Sequence, residues 1–186
     1  NPNPGHEIAI VDMDSRKLTG VIDIAPYRAP HGIQIDQKGM LYVACDLDRK
    51  VLIVDTKSRK VAAALDAEGT GHWIGILPDA SKIYVTNKTD KQYISVIDLK
   101  THKIVARIPA PNGTEGLAVS PDGKRVIAME ASAATMIVID SATDQVLDRI
   151  PLKGQTKGYK IYFSPDGRKL LTMSTAEDVV SVFDAA

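Results

Sequence analysis

One short pattern recurs at a nearly constant spacing along the 186-residue chain. It is an apolar stretch, rich in β-branched residues, that ends in aspartate, and it occurs at residues 8–12, 51–55, 94–98, 136–140 and 179–184. Successive copies of the aspartate lie 42 to 44 residues apart. A second series has the same phase, with Pro-Asp turns at residues 77–79, 120–123 and 164–167 and a degenerate copy at residues 35–39. Two series in phase indicate a fold made of repeated units.

Each repeat contains four short apolar runs separated by turn residues. In the best-defined copy these runs cover residues 116–120, 125–129, 136–140 and 145–150. Because they are rich in β-branched residues and no segment shows a sustained 3.6-residue period, they predict strands. Four antiparallel strands in roughly 40 to 45 residues are typical of one β-propeller blade. A β-sandwich of unrelated strands does not explain the constant phase, so we predict an all-β propeller of four-stranded antiparallel blades.

The best-defined strands also resemble a known repeat. Residues 83–87 read Ile-Tyr-Val-Thr-Asn, residues 94–98 and 104–109 continue the pattern, and a Ser-Pro-Asp-Gly turn precedes the next strand. This is similar to the YVTN β-propeller repeat of surface-layer and periplasmic propellers and of their relatives of the cytochrome d1 type. The resemblance implies a ring of seven blades and a periplasmic or extracellular location, although the chain as given contains no signal peptide.

The repeat count predicts less than a full ring. We expect one domain over residues 1–186 with 17 strands, arranged as two, then three blades of four, then three. The corresponding repeats are approximately 1–30 (partial), 31–71, 72–114, 115–158 and 159–186 (partial). Seven blades would need about 300 residues. The sequence therefore predicts that missing blades or a second copy of the chain complete the ring, and that Val180, Val182 and Phe183 are partly uncovered.

Charge and cysteine content limit the possible partners. The 23 Lys and Arg balance the 23 Asp and Glu, the isoelectric point is about 7.1, and no block of like charges stands out. This disfavours nucleic acid as a partner, and the absence of a long apolar run argues against membrane insertion. Cys45 is the single cysteine. Aligned with Asn87, Met129 and Met173 as the last residue of a second strand, it is expected to be packed rather than to act as a nucleophile.

Candidate site residues occupy one repeat-equivalent position. His31, His72, Glu115 and Tyr159 each begin a predicted innermost strand, and such strands line the channel of a propeller. We expect their side chains to converge at one mouth of the channel, where the flanking loops also gather. The complete predicted ligand-binding set is Arg28, His31, His72, Trp73, Glu115, Tyr159 and Lys160. We expect the large Trp73 side chain near the channel or between blades.

Several functions remain open at this point. The leading interpretation is a non-catalytic binding or scaffolding propeller that presents its top face and channel mouth to a protein, peptide or small ligand. The alternatives are a propeller enzyme, either lactonase-like or redox-active, and a propeller that binds a metal ion or a tetrapyrrole through His31, His72 and Glu115. No catalytic residue, cofactor or metal is assigned. Lys157 and Lys160 weaken the case for a cation and favour an anionic ligand.

Overall fold

A computed structural model describes residues 5–88 and 90–185, so the outermost ends of the predicted domain, residues 1–4 and 186, lie outside it. The described residues form 17 strands in five antiparallel sheets of two, four, four, four and three strands. The predicted all-β class and strand count are confirmed. None of the described residues belongs to a helix, so no helix there could cross a membrane.

The sheets follow one another along the chain. The first sheet consists of β1 (Glu7–Asp12) and β2 (Lys17–Asp23). The second consists of β3 (Pro30–Ile35), β4 (Met40–Cys45), β5 (Lys50–Asp55) and β6 (Lys60–Asp66). The third consists of β7 (Gly71–Ile76), β8 (Lys82–Asn87), β9 (Tyr93–Asp98) and β10 (Lys103–Pro109).

The last two sheets continue the same order. The fourth consists of β11 (Thr114–Val119), β12 (Arg125–Glu130), β13 (Thr135–Asp140) and β14 (Gln145–Pro151). The fifth consists of β15 (Lys160–Phe163), β16 (Lys169–Ser174) and β17 (Val179–Asp184). Each strand pairs with the next in sequence within its sheet. This is the up-and-down order of a propeller blade, and the innermost strands β3, β7, β11 and β15 lie within two residues of the predicted positions.

The repeated aspartates shape the turns after the third strand of the four-stranded sheets. The carboxylate of Asp98 accepts hydrogen bonds from the backbone N–H and hydroxyl of Thr101, and Asp140 binds Thr143 in the same way. These contacts lock a tight turn, because the side chain satisfies backbone donors that the sheet leaves free. In these two copies the repeated aspartate thus has a structural role in the turn.

The apolar core lies between consecutive sheets. For example, Tyr42 and Ile53 of the second sheet pack against Ile74, Val85 and Ile97 of the third. Comparable clusters join the first sheet to the second, the third to the fourth and the fourth to the fifth. Burial of one sheet face against the next provides the main stabilising free energy of such an array.

The innermost strands come very close together. A Cβ atom on Gly32 of β3 would lie 2.5 Å from the carbonyl oxygen of His72 in β7, and a Cβ on Gly116 of β11 would lie 2.6 Å from that of Tyr159, which precedes β15. Glycine at both positions lets neighbouring blades approach backbone to backbone. At the far end of the array Val180 and Val182 are each 60% exposed and Phe183 is half-buried, as expected.

Candidate functional site at the channel mouth

Three of the four repeat-equivalent residues meet directly. The imidazole rings of His31 and His72 stack with centroids 3.6 Å apart and planes inclined by 26°. The Nε2 atom of His72 lies 3.3 Å from Oε2 of Glu115. These side chains come from the second, third and fourth sheets, so the predicted convergence of the three residues is confirmed. Their capacity to bind a ligand stays a prediction.

Two further residues extend this contact into a row of alternating charges. Asp46, in the turn after β4, places Oδ2 2.8 Å from Nδ1 of His72. Lys88, directly after β8, places Nζ 3.2 Å from Oε1 of Glu115. We call Asp46, His72, Glu115 and Lys88 the charge ladder. Since its members belong to three sheets, the ladder connects neighbouring blades at the mouth.

In the charge ladder, the attraction between opposite charges affects the pKa values more than burial does. Burial alone would lower the pKa of His72, but the hydrogen bond to Asp46 and the contact with Glu115 raise this pKa above its ordinary value. Burial alone would raise the pKa of Glu115, but His72 and Lys88 lower it below its ordinary value. Opposite charges at hydrogen-bond distance favour the ionised form of both partners. The ladder therefore favours an imidazolium between two carboxylates.

His31 occupies the outer, exposed side of the stacked pair. Burial of part of the ring and the charge of His72 lower the pKa of His31, although Asp46 opposes this change. Its Nδ1 atom lies 3.2 Å from the carbonyl oxygen of His72. A carbonyl oxygen only accepts hydrogen bonds, so Nδ1 carries the proton. In the neutral ring Nε2 then has a free lone pair.

The side chains of Trp73 and Lys160 meet, although their strands belong to blades that are not adjacent. The Nζ atom of Lys160 lies 3.7 Å from the centroid of the Trp73 ring, although the two residues come from the third and fifth sheets. The edge of the Trp73 ring also contacts His31, with centroids 4.8 Å apart. Tyr159 joins the group through its ring, whose centroid is 5.8 Å from Lys160 Nζ. The half-buried Trp73 thus lies near the channel, as the sequence predicts.

Arg28 is placed differently from the other predicted residues. Its guanidinium binds the carboxylate of Asp48 with Nη2 2.9 Å from Oδ1, and its backbone N–H donates to the same side chain. Arg28 therefore fixes the loop before β3 to the turn after β4. The remaining members of the predicted set form the mouth cluster, which we define as His31, His72, Trp73, Glu115, Tyr159 and Lys160.

The sequence alignment of the second strands needs a correction. Cys45 pairs with Pro30 in the same way that Asn87 pairs with Gly71, and by this register Glu130, not Met129, is equivalent to Cys45. The corresponding residue of β16 is its last residue, Ser174, and not Met173. The loops between the second and third strands differ in length. Counting back from the aspartate that ends the third strand therefore displaces the equivalent position in the second strand. Cys45 itself is fully buried and packed, as expected.

Sequence reasoning missed three charged residues at this end of the blades. Asp46 and Lys88 complete the ladder, and Glu130 is only 2% exposed and lies 3.0 Å from Nη1 of Arg149. All three lie at or just after the end of a second strand. That position ends at the same face as the start of the innermost strand, so a correct second-strand alignment would have identified them.

The arrangement does not suit a metal ion shared by the two histidines. His31, Asp46 and His72 place ligand atoms within 4.8 Å of one another, a group that contains Asp46 where the sequence suggested Glu115. An ion lies near the plane of each imidazole that binds it, about 2.0 to 2.2 Å from the nitrogen. For stacked rings whose centroids are 3.6 Å apart and whose planes are inclined by 26°, the planes meet beyond that reach. One ring would have to turn out of the stack before both could bind the same ion.

Consecutive antiparallel blades that pack face to face, with their innermost strands side by side, define the protein as a β-propeller. The sequence matches the YNCE-like beta-propeller family over residues 5–165, and the chain belongs to this family. The relation to the YVTN repeat and to cytochrome d1-type propellers stays a prediction. A search of curated proteins found no match.

A solved structure supports the same fold. The Kuenenia stuttgartiensis hydrazine synthase superposes with a TM-score of 0.77 at 22% identity, over 83% of this chain and 46% of that chain. The chain thus spans about half the length of that structure. At this identity the similarity concerns the fold alone.

Proposed function

We propose that this protein is a non-catalytic binding propeller that presents its top face and channel mouth to a ligand. In this proposal residues 1–186 form a single domain of a ring of seven blades, and further blades or a second copy complete the ring. The location is periplasmic or extracellular. In this proposal nucleic acid is not a partner, which is consistent with the balanced charge of the chain, and the protein does not insert into a membrane.

The observation that carries the proposal is the ordered meeting of side chains from four sheets at the mouth. Rings from His31 and Trp73 and the ammonium group of Lys160 are held in contact there. The charge ladder holds His72 in position next to these groups, because both ring nitrogens of His72 contact a carboxylate. A site whose side chains are already held in position loses less conformational entropy on binding, which favours affinity.

The position of His72 supports binding rather than acid–base catalysis. A general base must reach the proton that it removes from the substrate. His72 is only 5% exposed, and its two nitrogens face Asp46 and Glu115. It therefore has no free nitrogen directed at a bound molecule, which weighs against His72 as a catalytic base.

A second candidate function rests on His31. Its Nε2 lone pair is free, and the carbonyl oxygen of His72 orients the ring through Nδ1. Metal-binding histidines are commonly oriented in this way by a hydrogen bond to the other ring nitrogen. One exposed imidazole fits an axial ligand of a tetrapyrrole iron or a single ligand of a metal ion. The candidate thus needs only His31.

An absorption spectrum and metal analysis of protein purified from its native host separate the two candidates. A visible band or bound metal that is lost in His31→Ala would favour the second candidate. Mass spectrometry of the supernatant after denaturation then identifies a retained organic ligand. Loss of that ligand in Trp73→Ala, but not in Val105→Ala on an exposed outer strand, supports the binding function. If no compound is retained and no added ligand alters Trp73 fluorescence, binding at the mouth is contradicted.

A further inference from the structure

The charges at the mouth do not cancel evenly. Within the ladder, His72 balances Asp46 and Lys88 balances Glu115. Lys160 is different: among the described residues no carboxylate oxygen lies within 4.0 Å of its Nζ, which rests on the Trp73 ring instead. The ladder is therefore locally neutral, and Lys160 adds an unbalanced positive charge beside it.

The groups that a ligand can reach are mainly hydrogen-bond donors. Lys160 and Tyr159 are half-buried, and Lys157, which precedes them in the same loop, is exposed. Like Lys160, Lys157 has no carboxylate partner within 4.0 Å in the described part of the chain. Of the two ladder carboxylates, Glu115 is buried and Asp46 is half-buried with one oxygen on His72, so an incoming anion meets neither of them fully exposed. An incoming cation, by contrast, would face the ammonium groups first.

Flat rings border these donors. The edge of Trp73 contacts His31, and Lys160 covers one face of the indole. A charge-assisted hydrogen bond between an ammonium group and an oxyanion is as strong as, or stronger than, the contact of an ammonium group with an aromatic face. Lys160 can therefore leave the ring to bind an oxyanion, and the uncovered indole face can then stack on a flat apolar group.

We propose that the ligand of the channel mouth carries an oxyanion, a carboxylate or a phosphate, next to a flat apolar body. Lys160 binds the oxyanion, Lys157 and the Tyr159 hydroxyl assist it, and the face of Trp73 holds the flat body. This proposal rests on the proposed binding function and specifies its ligand class. The proposal also gives a role to Lys160, whose ammonium group contacts the Trp73 ring and has no carboxylate partner among the described residues.

The test uses Trp73 as its own reporter, because it is the single tryptophan of the sequence. Phenylacetate and phenyl phosphate are the oxyanion probes, and phenethylamine carries the same ring on a cation. We expect a saturable change in tryptophan emission with at least one oxyanion probe, weakened by added salt, and none with phenethylamine. The relative affinities for the two oxyanion probes distinguish a carboxylate ligand from a phosphate ligand.

Variants then assign the response to the site. Lys160→Gln should lower the affinity for the oxyanion probe about tenfold or more, which is the loss expected for one charge-assisted hydrogen bond. Lys100→Gln is the matched control, because this exposed lysine lies in the β9–β10 turn at the opposite ends of the strands and should leave affinity unchanged. Trp73→Phe should abolish the signal. If Lys160→Gln unfolds, Lys157→Gln replaces it, with a smaller expected loss.

The outcomes separate the two proposals. Binding of phenethylamine as tight as that of phenylacetate, or oxyanion binding that is unchanged in both lysine variants, overturns the ligand class while the binding function stands. If no probe alters the Trp73 emission and no ligand is retained from the native host, both proposals are wrong at this site.

Discussion

The imidazole of His31 stacks on the imidazole of His72 at 3.6 Å, although the two residues lie 41 positions apart in neighbouring blades. The stack has a chemical consequence, because two adjacent imidazolium ions would repel each other. Asp46 and Glu115 raise the pKa of His72 against the effect of burial, whereas burial and the charge of His72 lower the pKa of His31. The pair thus divides into an inner ring that favours the charged form and an outer ring that favours the neutral form.

Replacement of His72 by alanine should destabilise the protein strongly. It leaves the carboxylates of Asp46 and Glu115 without their shared partner in a largely buried position. Removing one partner of a buried ion pair costs about 3 kcal/mol or more in the free energy of unfolding. Urea denaturation of His72→Ala at neutral pH measures this loss.

The matched control is His6→Ala. His6 also binds an aspartate, Asp23, but both side chains of that pair are exposed to solvent, so a much smaller change in the free energy of unfolding is expected. Equal losses in the two variants would mean that burial in the ladder does not strengthen its contacts.

The contribution of His72 should also depend on pH. Because the folded-state pKa of His72 is raised, its stabilising effect is complete below the unfolded value of about 6.5 and decreases as pH rises through the folded value. The difference in the free energy of unfolding between wild type and His72→Gln should therefore shrink as the pH rises above about 6.5. Urea denaturation across this range measures it. A difference that grows with pH would contradict the raised pKa.

The repeat spacing accounts for how much of this fold the sequence predicts. Turn residues and apolar runs recur with one period, so the strands, their order and the place where His31, His72 and Glu115 meet follow from symmetry. Rotation about a common axis brings equivalent positions together regardless of side-chain chemistry.

Contacts that break the repeat symmetry could not be predicted in this way. A second-strand alignment can place Asp46 and Lys88 at the mouth, but the partner that each of them binds does not follow from it. The contact of Arg28 with Asp48 does not follow from the repeat either. The position of Lys160 over Trp73 depends on the reach of two long side chains from blades that are not adjacent. Such contacts depend on three-dimensional distances that a linear period does not contain.

Cys45 should be unreactive in the folded protein. The thiol is fully buried, and burial together with the nearby charges of Asp48 and Asp46 raises its pKa to about 12. The thiolate is the nucleophilic form, so alkylation by iodoacetamide near pH 8 should be negligible in the native state and complete in urea. Mass spectrometry of the two samples measures the modification, and rapid native labelling would contradict the packed position.

Gly116→Ala should displace the backbone next to the channel mouth. An added Cβ would lie 2.6 Å from the carbonyl oxygen of Tyr159 and 2.7 Å from Cα of Lys160. Both are backbone atoms, so a side-chain rotation cannot relieve the clash and the innermost strands β11 and β15 must separate. Overpacking of this kind costs about 1 to 3 kcal/mol.

The same substitution should be visible at Trp73, because movement of β15 shifts Lys160 away from the indole. Thermal unfolding and tryptophan emission of Gly116→Ala measure the two effects together. Gly5→Ala is the control, since among the described residues, sequence neighbours aside, no atom lies within 4 Å of the position of its added Cβ. A Gly116→Ala variant with the stability and emission of the control would contradict the close approach of the two innermost strands, and with it the geometry that brings Lys160 to the channel mouth.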